Sequence, residues 1–226
     1  MTNVSKTPEK KATRSGLFAF AVETLEKNGW TVSRVPRGGK ASLRLIKKGD
    51  EEHKVSIRTS QDAWIAFPRK ASGNGWVTLD DVDFVVAVSV DDRHNPKIVR
   101  VHMIPGDDAR TRFDRAYAAR KAAGHSLPPG RGIWLSLYEK DEPDPVSHVG
   151  GGMGLAYEAL ATIDLSRSSL PTGADSGEDD NAEDDDQAAP VSAAPTIENL
   201  TIPEAKRLLA KSLGVPESAI KISIEH

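Results

Sequence analysis

Residues 53–69 read HKVSIRTSQDAWIAFPR, and residues 78–90 read TLDDVDFVVAVSV. These two stretches decide the fold. In the first, Val55 and Ile57 alternate with Lys54, Ser56 and Arg58, the period of a strand with one face on a core, because successive strand side chains point to opposite faces. In the second, residues 84–90 are apolar almost throughout, which is the pattern of a strand buried on both faces at the centre of a sheet. Working upstream, TVSRV, PRGGK, ASLRLIKK and GDEE (31–52) alternate short β-type runs with turn residues, so 31–60 reads as an antiparallel meander. Leu43 and Leu45 then share one face and Ser42 and Arg44 the other. The expectation is a basic, small-polar face built from Ser42, Arg44, Lys54, Ser56 and Arg58, with Lys54, Ser56 and Arg58 from the neighbouring strand.

Helices flank this sheet. Leu17, Phe18, Ala21, Val22 and Leu25 recur at helical spacing after Ser15, and Asn28 with Gly29 supplies a left-handed stop, which predicts a helix over 15–28. KIVRVHMIP (97–105) reads as a further strand. GDDARTRFDRAYAARKAAG (106–124) reads as a helix with Asp107 or Asp108 at its start, basic residues at its end and Gly124 beyond it. DAWIAFPRK and GIWLSLY read as two more strands, and SHVGGGMGLAYEALATIDL as a glycine-rich loop entering a short helix. The fold class is mixed α/β (α+β), a mostly antiparallel central sheet flanked by helices.

The chain has 226 residues, 38% hydrophobic and 28% charged, with no cysteine. That bounds it to one medium domain with an appended segment, and excludes disulfides, thiolate zinc sites and cysteine nucleophiles. No run approaches the roughly 18 apolar residues of a spanning helix, and the first residues lack the apolar core of a signal peptide, so a cytoplasmic protein without membrane partners is expected. The net charge of −3 hides an asymmetry. Residues 1–140 carry 25 Lys and Arg against 16 Asp and Glu, and residues 141–226 carry 5 against 17. Residues 1–14 read as a disordered basic arm and 15–170 as the folded domain. Residues 171–196 read as a disordered acidic linker, too poor in apolar residues to offset ordering, and able to compete with nucleic acid for the basic domain. In 197–226, Leu208, Leu209 and Leu213 follow helical spacing and Ile220, Ile222 and Ile224 alternate as in a half-buried strand. Such a segment exposes an apolar face and reads as a docking element for a protein partner.

The order helix, strand, strand, strand, with HKVSIRTSQDAWIAFPR, then TLDDVDFVVAVSV, then KIVRVHMIPG, resembles the PD-(D/E)XK, or restriction-endonuclease-like, superfamily over residues 15–138. The pieces that carry the likeness are 55–60, 64–67, 83–90 and 97–105. A helix placed after the fourth and fifth long strands departs from the family order αβββαβ. The resemblance implies nuclease chemistry, with an acid on the second strand and an acid or Gln plus a Lys on the third holding a divalent cation and orienting a water. Position by position, the lysine falls on Arg58, the acid before it on Ser56 and the strand-two carboxylate on Leu43 or Arg44. A guanidinium stays protonated and cannot serve as a base, and magnesium wants carboxylate oxygens. The resemblance therefore implies a nuclease-like domain that has lost hydrolysis and keeps contact with nucleic acid, DNA above all, through Arg34, Arg37, Lys40, Arg44, Lys54, Ser56 and Arg58. Such a domain would be an accessory in DNA metabolism or defence, with no catalytic residue, metal or cofactor. Two alternatives stand beside it: a protein-interaction scaffold, and an active magnesium-dependent nuclease with displaced acids.

Other constellations are weaker. Asp80, Asp81 and Asp83 with Asp62 or Glu23 could hold a metal, although aspartates before a strand more often form Asx turns. The histidines lack ligand spacing, Ser126 and Ser136 lack a nucleophile elbow, and the glycines of 150–154 read as a flexible loop. Trp30, Trp64, Trp76 and Trp134 could stack bases, but tryptophan in such elements is more often core.

Overall fold

A computed structural model describes residues 8–36, 40–128 and 130–171 of the chain, with side chains from Thr13 onward. Arg37, the acidic linker from residue 172 and the docking residues Leu208, Leu209, Leu213, Ile220, Ile222 and Ile224 lie outside the described residues.

The elements are α1 (Pro8–Lys27), β1 (Thr31–Arg34), β2 (Leu43–Lys48), β3 (Glu51–Ser60), β4 (Trp64–Pro68), β5 (Phe84–Val90), β6 (Ile98–Pro105), α2 (Gly106–Ala122), β7 (Gly132–Ser136), α3 (Met153–Ala156) and β8 (Ala159–Asp164). They form a mixed α+β fold around a six-stranded sheet in the order β1-β2-β3-β5-β6-β8. Among the described strands only the β3–β5 pair is parallel. The other four pairs are antiparallel. Strands β1, β3, β5 and β8 consequently run in one direction, and β2 and β6 in the other.

Both faces of this sheet are covered. On one, α1 buries Leu17, Phe18, Ala21 and Leu25 against Ile46, Val55, Ile57, Val86, Val88, Val99 and Val101. On the other, α2 contributes Ala109, Phe113 and Ala116, and a separate two-stranded ribbon of β4 and β7 contributes Ile65, Phe67, Ile133 and Leu135, over Leu43, Val85, Ala87 and Ile104. The apolar run of β5 has its reason here, since Val85 to Val90 are buried from both sides.

Four differences from the sequence reading have physical causes. The first helix starts at Pro8, ahead of Ser15, because proline is pre-set for the first helical position. It ends as expected, with Gly29 at φ 87°. The strands β4 and β7 pair with each other, antiparallel, and do not join the main sheet. Residues 159–164, read as part of a helical tail, form the edge strand β8 against β6. The glycines of 150–152 serve close packing: a Cβ on Gly150 would stand 2.6 Å from the Arg112 carbonyl oxygen, and one on Gly151 2.8 Å from that of Glu139.

Candidate functional site

The expected basic face does not exist as one surface. The two-residue turn Gly49–Asp50 sets Lys48 opposite Glu51, so even positions of β2 face odd positions of β3. Arg44 is opposite Val55 and lies on the α1 face, with its guanidinium carbon 4.7 Å from the Phe18 ring centre and its Nη1 donating to the Ala41 and Leu43 carbonyls. Ser56 and Arg58 lie on the other face, where Arg58 sits 4.3 Å over the Phe67 ring and donates to the Thr78 hydroxyl. Arg44 is 4% exposed, Arg58 3% and Ser56 0%. Ser42 is likewise buried. Lys54 is partly exposed but stands toward the opposite end of β3, where its backbone N–H donates to Asp83. Thr78, which receives Arg58, holds φ 61°, a strained conformation for a β-branched residue. Arg58 thus belongs to the core architecture. Of the predicted cations, Arg34 and Lys40 are exposed, both at the β1–β2 connection.

That connection lies at the carboxyl end of β1. The Ser42 carbonyl accepts from the Ile57 N–H, which places the connection beside the carboxyl half of β3. The same end receives the loop 91–97 that leaves β5, and residues 165–167 that leave β8, because Ile98 pairs with Asp164. In open sheets with parallel neighbours, the ends of the parallel strands are where ligands are commonly bound. Here this end collects Arg34, Lys40, Arg93, Lys97, Arg100 and Arg167.

The carboxylates at this end are engaged by backbone N–H and hydroxyl groups. Asp91 accepts the backbone N–H groups of Asp92, Lys97 and Ile98 at 2.9–3.0 Å. Asp92 accepts those of His94 and Asn95 at 2.7 and 2.8 Å. Asp62 accepts the Ser60 hydroxyl and the Trp64 N–H, and Asp164 the N–H and hydroxyl of Ser166. Burial works against the Asp91 charge, yet its backbone donors outweigh that and hold the carboxyl below its ordinary range. The Asn95 and His94 N–H groups do the same for Asp92. The loop is thereby an Asx-turn structure with Arg93, His94 and Lys97 facing solvent. Among the described residues Arg93, Lys97, Arg100 and Arg167 make no ion pair, whereas on the α2 side each of Arg110, Arg112, Arg115, Arg69 and Lys70 faces an aspartate.

Beneath these loops lies a polar layer. Ser60 is opposite Ser89 in the parallel pair, and Arg100 is opposite Ser89 on the next strand. The Tyr138 hydroxyl is 2.9 Å from the Ser89 hydroxyl and 3.0 Å from His102 Nε2, while His102 Nδ1 stands 2.8 Å from the Tyr157 carbonyl and so carries the proton there. Burial pulls the His102 pKa below its ordinary value; the Tyr157 carbonyl opposes this, and the nearby Arg100 charge adds to it. The imidazole is a neutral strut at neutral pH. Arg100 extends over Tyr138, 5.6 Å from its ring centre.

The proposed metal set is dispersed. Asp80 pairs with Lys70 at 2.9 Å, Asp83 accepts the Lys54 N–H, Glu23 meets Lys27, and Asp62 is at the far end of the sheet. Among the described residues no group of three His, Asp or Glu stands close enough to hold a metal ion. Nor is any helix among them long and apolar enough to cross a membrane. Sequence reasoning passed over Arg93, Lys97, Arg100 and Arg167. The signal for the first two was the turn string DDRHNPK (91–97) between two apolar strands, which brings side chains to a sheet end. No protein-family model, curated protein or solved structure matches this chain.

Proposed function

We propose that the chain holds nucleic acid, DNA in the first instance, by its phosphates at the carboxyl end of β1, β3, β5 and β8, and does not cut it. The observation that carries this reading is the convergence there of Arg93, Lys97, Arg100 and Arg167, which make no ion pair among the described residues, beside carboxylates already occupied by backbone N–H groups. Guanidinium forks match phosphate geometry, and each phosphate neutralised releases condensed counterions, which drives binding.

Two further features support it. The succession α1, β1, β2, β3 matches the first four elements of the order αβββαβ implied by the resemblance to PD-(D/E)XK nucleases, while the helix of that order comes only after β6. The positions at which that resemblance would put metal ligands hold Leu43 directly opposite Ser56, with Arg58 next to them under Phe67. That face has become core. The Ser56 hydroxyl is buried with no hydrogen-bond partner among the described residues, as a polar remnant in an apolar layer would be. In this reading the protein is an accessory of DNA metabolism or defence, one that occupies DNA and leaves it intact.

Incubation of the full chain with plasmid, short duplexes and single-stranded oligonucleotides, with magnesium or manganese, tests it. The expected result is retarded DNA that remains uncut after prolonged incubation. Cleavage that disappears in Asp62→Asn overturns the loss of hydrolysis, and failure to retard DNA at low salt overturns the reading.

A further inference from the structure

The four tryptophans divide into two kinds. Trp76 is 1% exposed within the core, and Trp30 packs edge-on against His53 with ring centres 5.7 Å apart. Trp64 and Trp134 belong to neither core cluster. The β4–β7 register sets Trp64 opposite Ser136 and Ala66 opposite Trp134, so the two indoles share one face of the ribbon at diagonal positions. The other face, with Ile65, Phe67, Ile133 and Leu135, is the one buried against the sheet. Both indoles are partly exposed, and neither makes a ring contact among the described residues. Diagonal neighbours stand roughly 7–8 Å apart, close to two steps of a nucleic-acid strand at about 3.4 Å each.

The platform adjoins the cationic strand end. Trp64 follows Asp62 and Ala63 out of β3, and the Ala63 carbonyl accepts the Leu137 N–H, which sets Trp64 beside the chain leading to Tyr138 and the Arg100 over it. A strand whose phosphates meet Arg100 and Lys97 can therefore lay its bases along the ribbon. In a duplex the faces of the bases are already stacked on one another, while an unpaired strand offers them to any flat aromatic surface.

Resting on the phosphate-binding reading above, we propose that Trp64 and Trp134 stack unpaired bases, so that the ligand of this end is a single-stranded nucleic acid. The probes are a thymidine oligomer and an abasic deoxyribose-phosphate tract of equal length, which carry the same charge with and without bases. Expected are about a hundredfold tighter binding of the thymidine oligomer, two stacked bases at about tenfold each, and quenching of indole fluorescence by it. Trp64→Ala and Trp134→Ala should each lower its affinity about tenfold and leave the abasic tract unaffected, with Trp64→Phe and Trp134→Phe binding nearly as the parent does. The doubly Phe-substituted chain should bind without quenching, which keeps the test decisive if an alanine variant misfolds. Equal affinity for the two tracts, or unquenched binding by the parent chain, overturns the inference alone. Binding of neither tract nor duplex at low salt overturns the phosphate reading and this inference with it.

Discussion

Charge reversal separates the two classes of cation. Arg58 is 3% exposed, stacked 4.3 Å over Phe67, and donates to the hydroxyl of Thr78. Arg58→Glu removes a desolvated cation–π contact worth about 2 kcal/mol and sets a carboxylate against the negative ring face. Leaving a charge uncompensated at a buried position costs about 3–5 kcal/mol. Taking about 5 kcal/mol, and roughly 2–4 °C per kcal/mol for a domain of this size, Tm should fall by about 10–20 °C. Lys97 is exposed and makes no ion pair among the described residues, its backbone N–H being taken by Asp91. Lys97→Glu should move Tm by no more than about 2 °C, as surface substitutions do, while weakening nucleic-acid binding. Circular dichroism melts of the parent and both variants provide the comparison. Equal Tm for Arg58→Glu and the parent chain would refute the placement of Arg58 within the core.

Three shorter predictions concern other parts of the fold. Gly150→Ala meets both a positive φ of 84° and a carbonyl oxygen 2.6 Å away, and should destabilise by about 3 kcal/mol, whereas Gly49→Ala, at φ 61° with nothing within 4 Å, should cost only about 1 kcal/mol; urea midpoints of the two variants measure the difference. His102 is held neutral in the folded state by burial, so the unfolded chain binds the extra proton. Its contribution to stability is therefore complete above about pH 6.5 and is lost as pH falls through that value toward the lower folded pKa, a dependence that His102→Gln should flatten in urea titrations at pH 7.5 and 5. Arg93→Ala and Lys97→Ala should each reduce the salt slope of DNA binding by about 1, read by titration at three salt concentrations.

The strands and helices that carry strong periods were legible in the sequence. Alternation in 53–60 and the apolar run at 84–90 correspond to β3 and β5, and the stop at Asn28 and Gly29 closes α1 where expected. Alternation within a strand does not say which residues of two strands share a face. Turn length does, and an even turn between β2 and β3 sends Arg44 to one side and Ser56 with Arg58 to the other. The GDEE string already implied an even turn, so this split was available to closer reading. Burial of arginine was not, because it depends on how Phe18 of α1 and Phe67 of the separate ribbon pack over the two faces of the sheet. The strand β8 was missed because ALATID is rich in alanine and its edge position lets alternate residues stay exposed. The strand-end site is assembled from four connections, and only topology brings them together.

Fluorescence anisotropy of a labelled oligonucleotide, titrated with the full chain across salt concentrations, tests the strand-end site most directly, with the variant Arg93→Ala, Lys97→Ala, Arg100→Ala as comparison. The account predicts that log affinity falls linearly with log salt for the parent chain, and that the triple variant, melting as the parent does, loses most of the affinity and about three units of slope. Salt-independent binding, or a folded triple variant that binds as tightly as the parent, would contradict it.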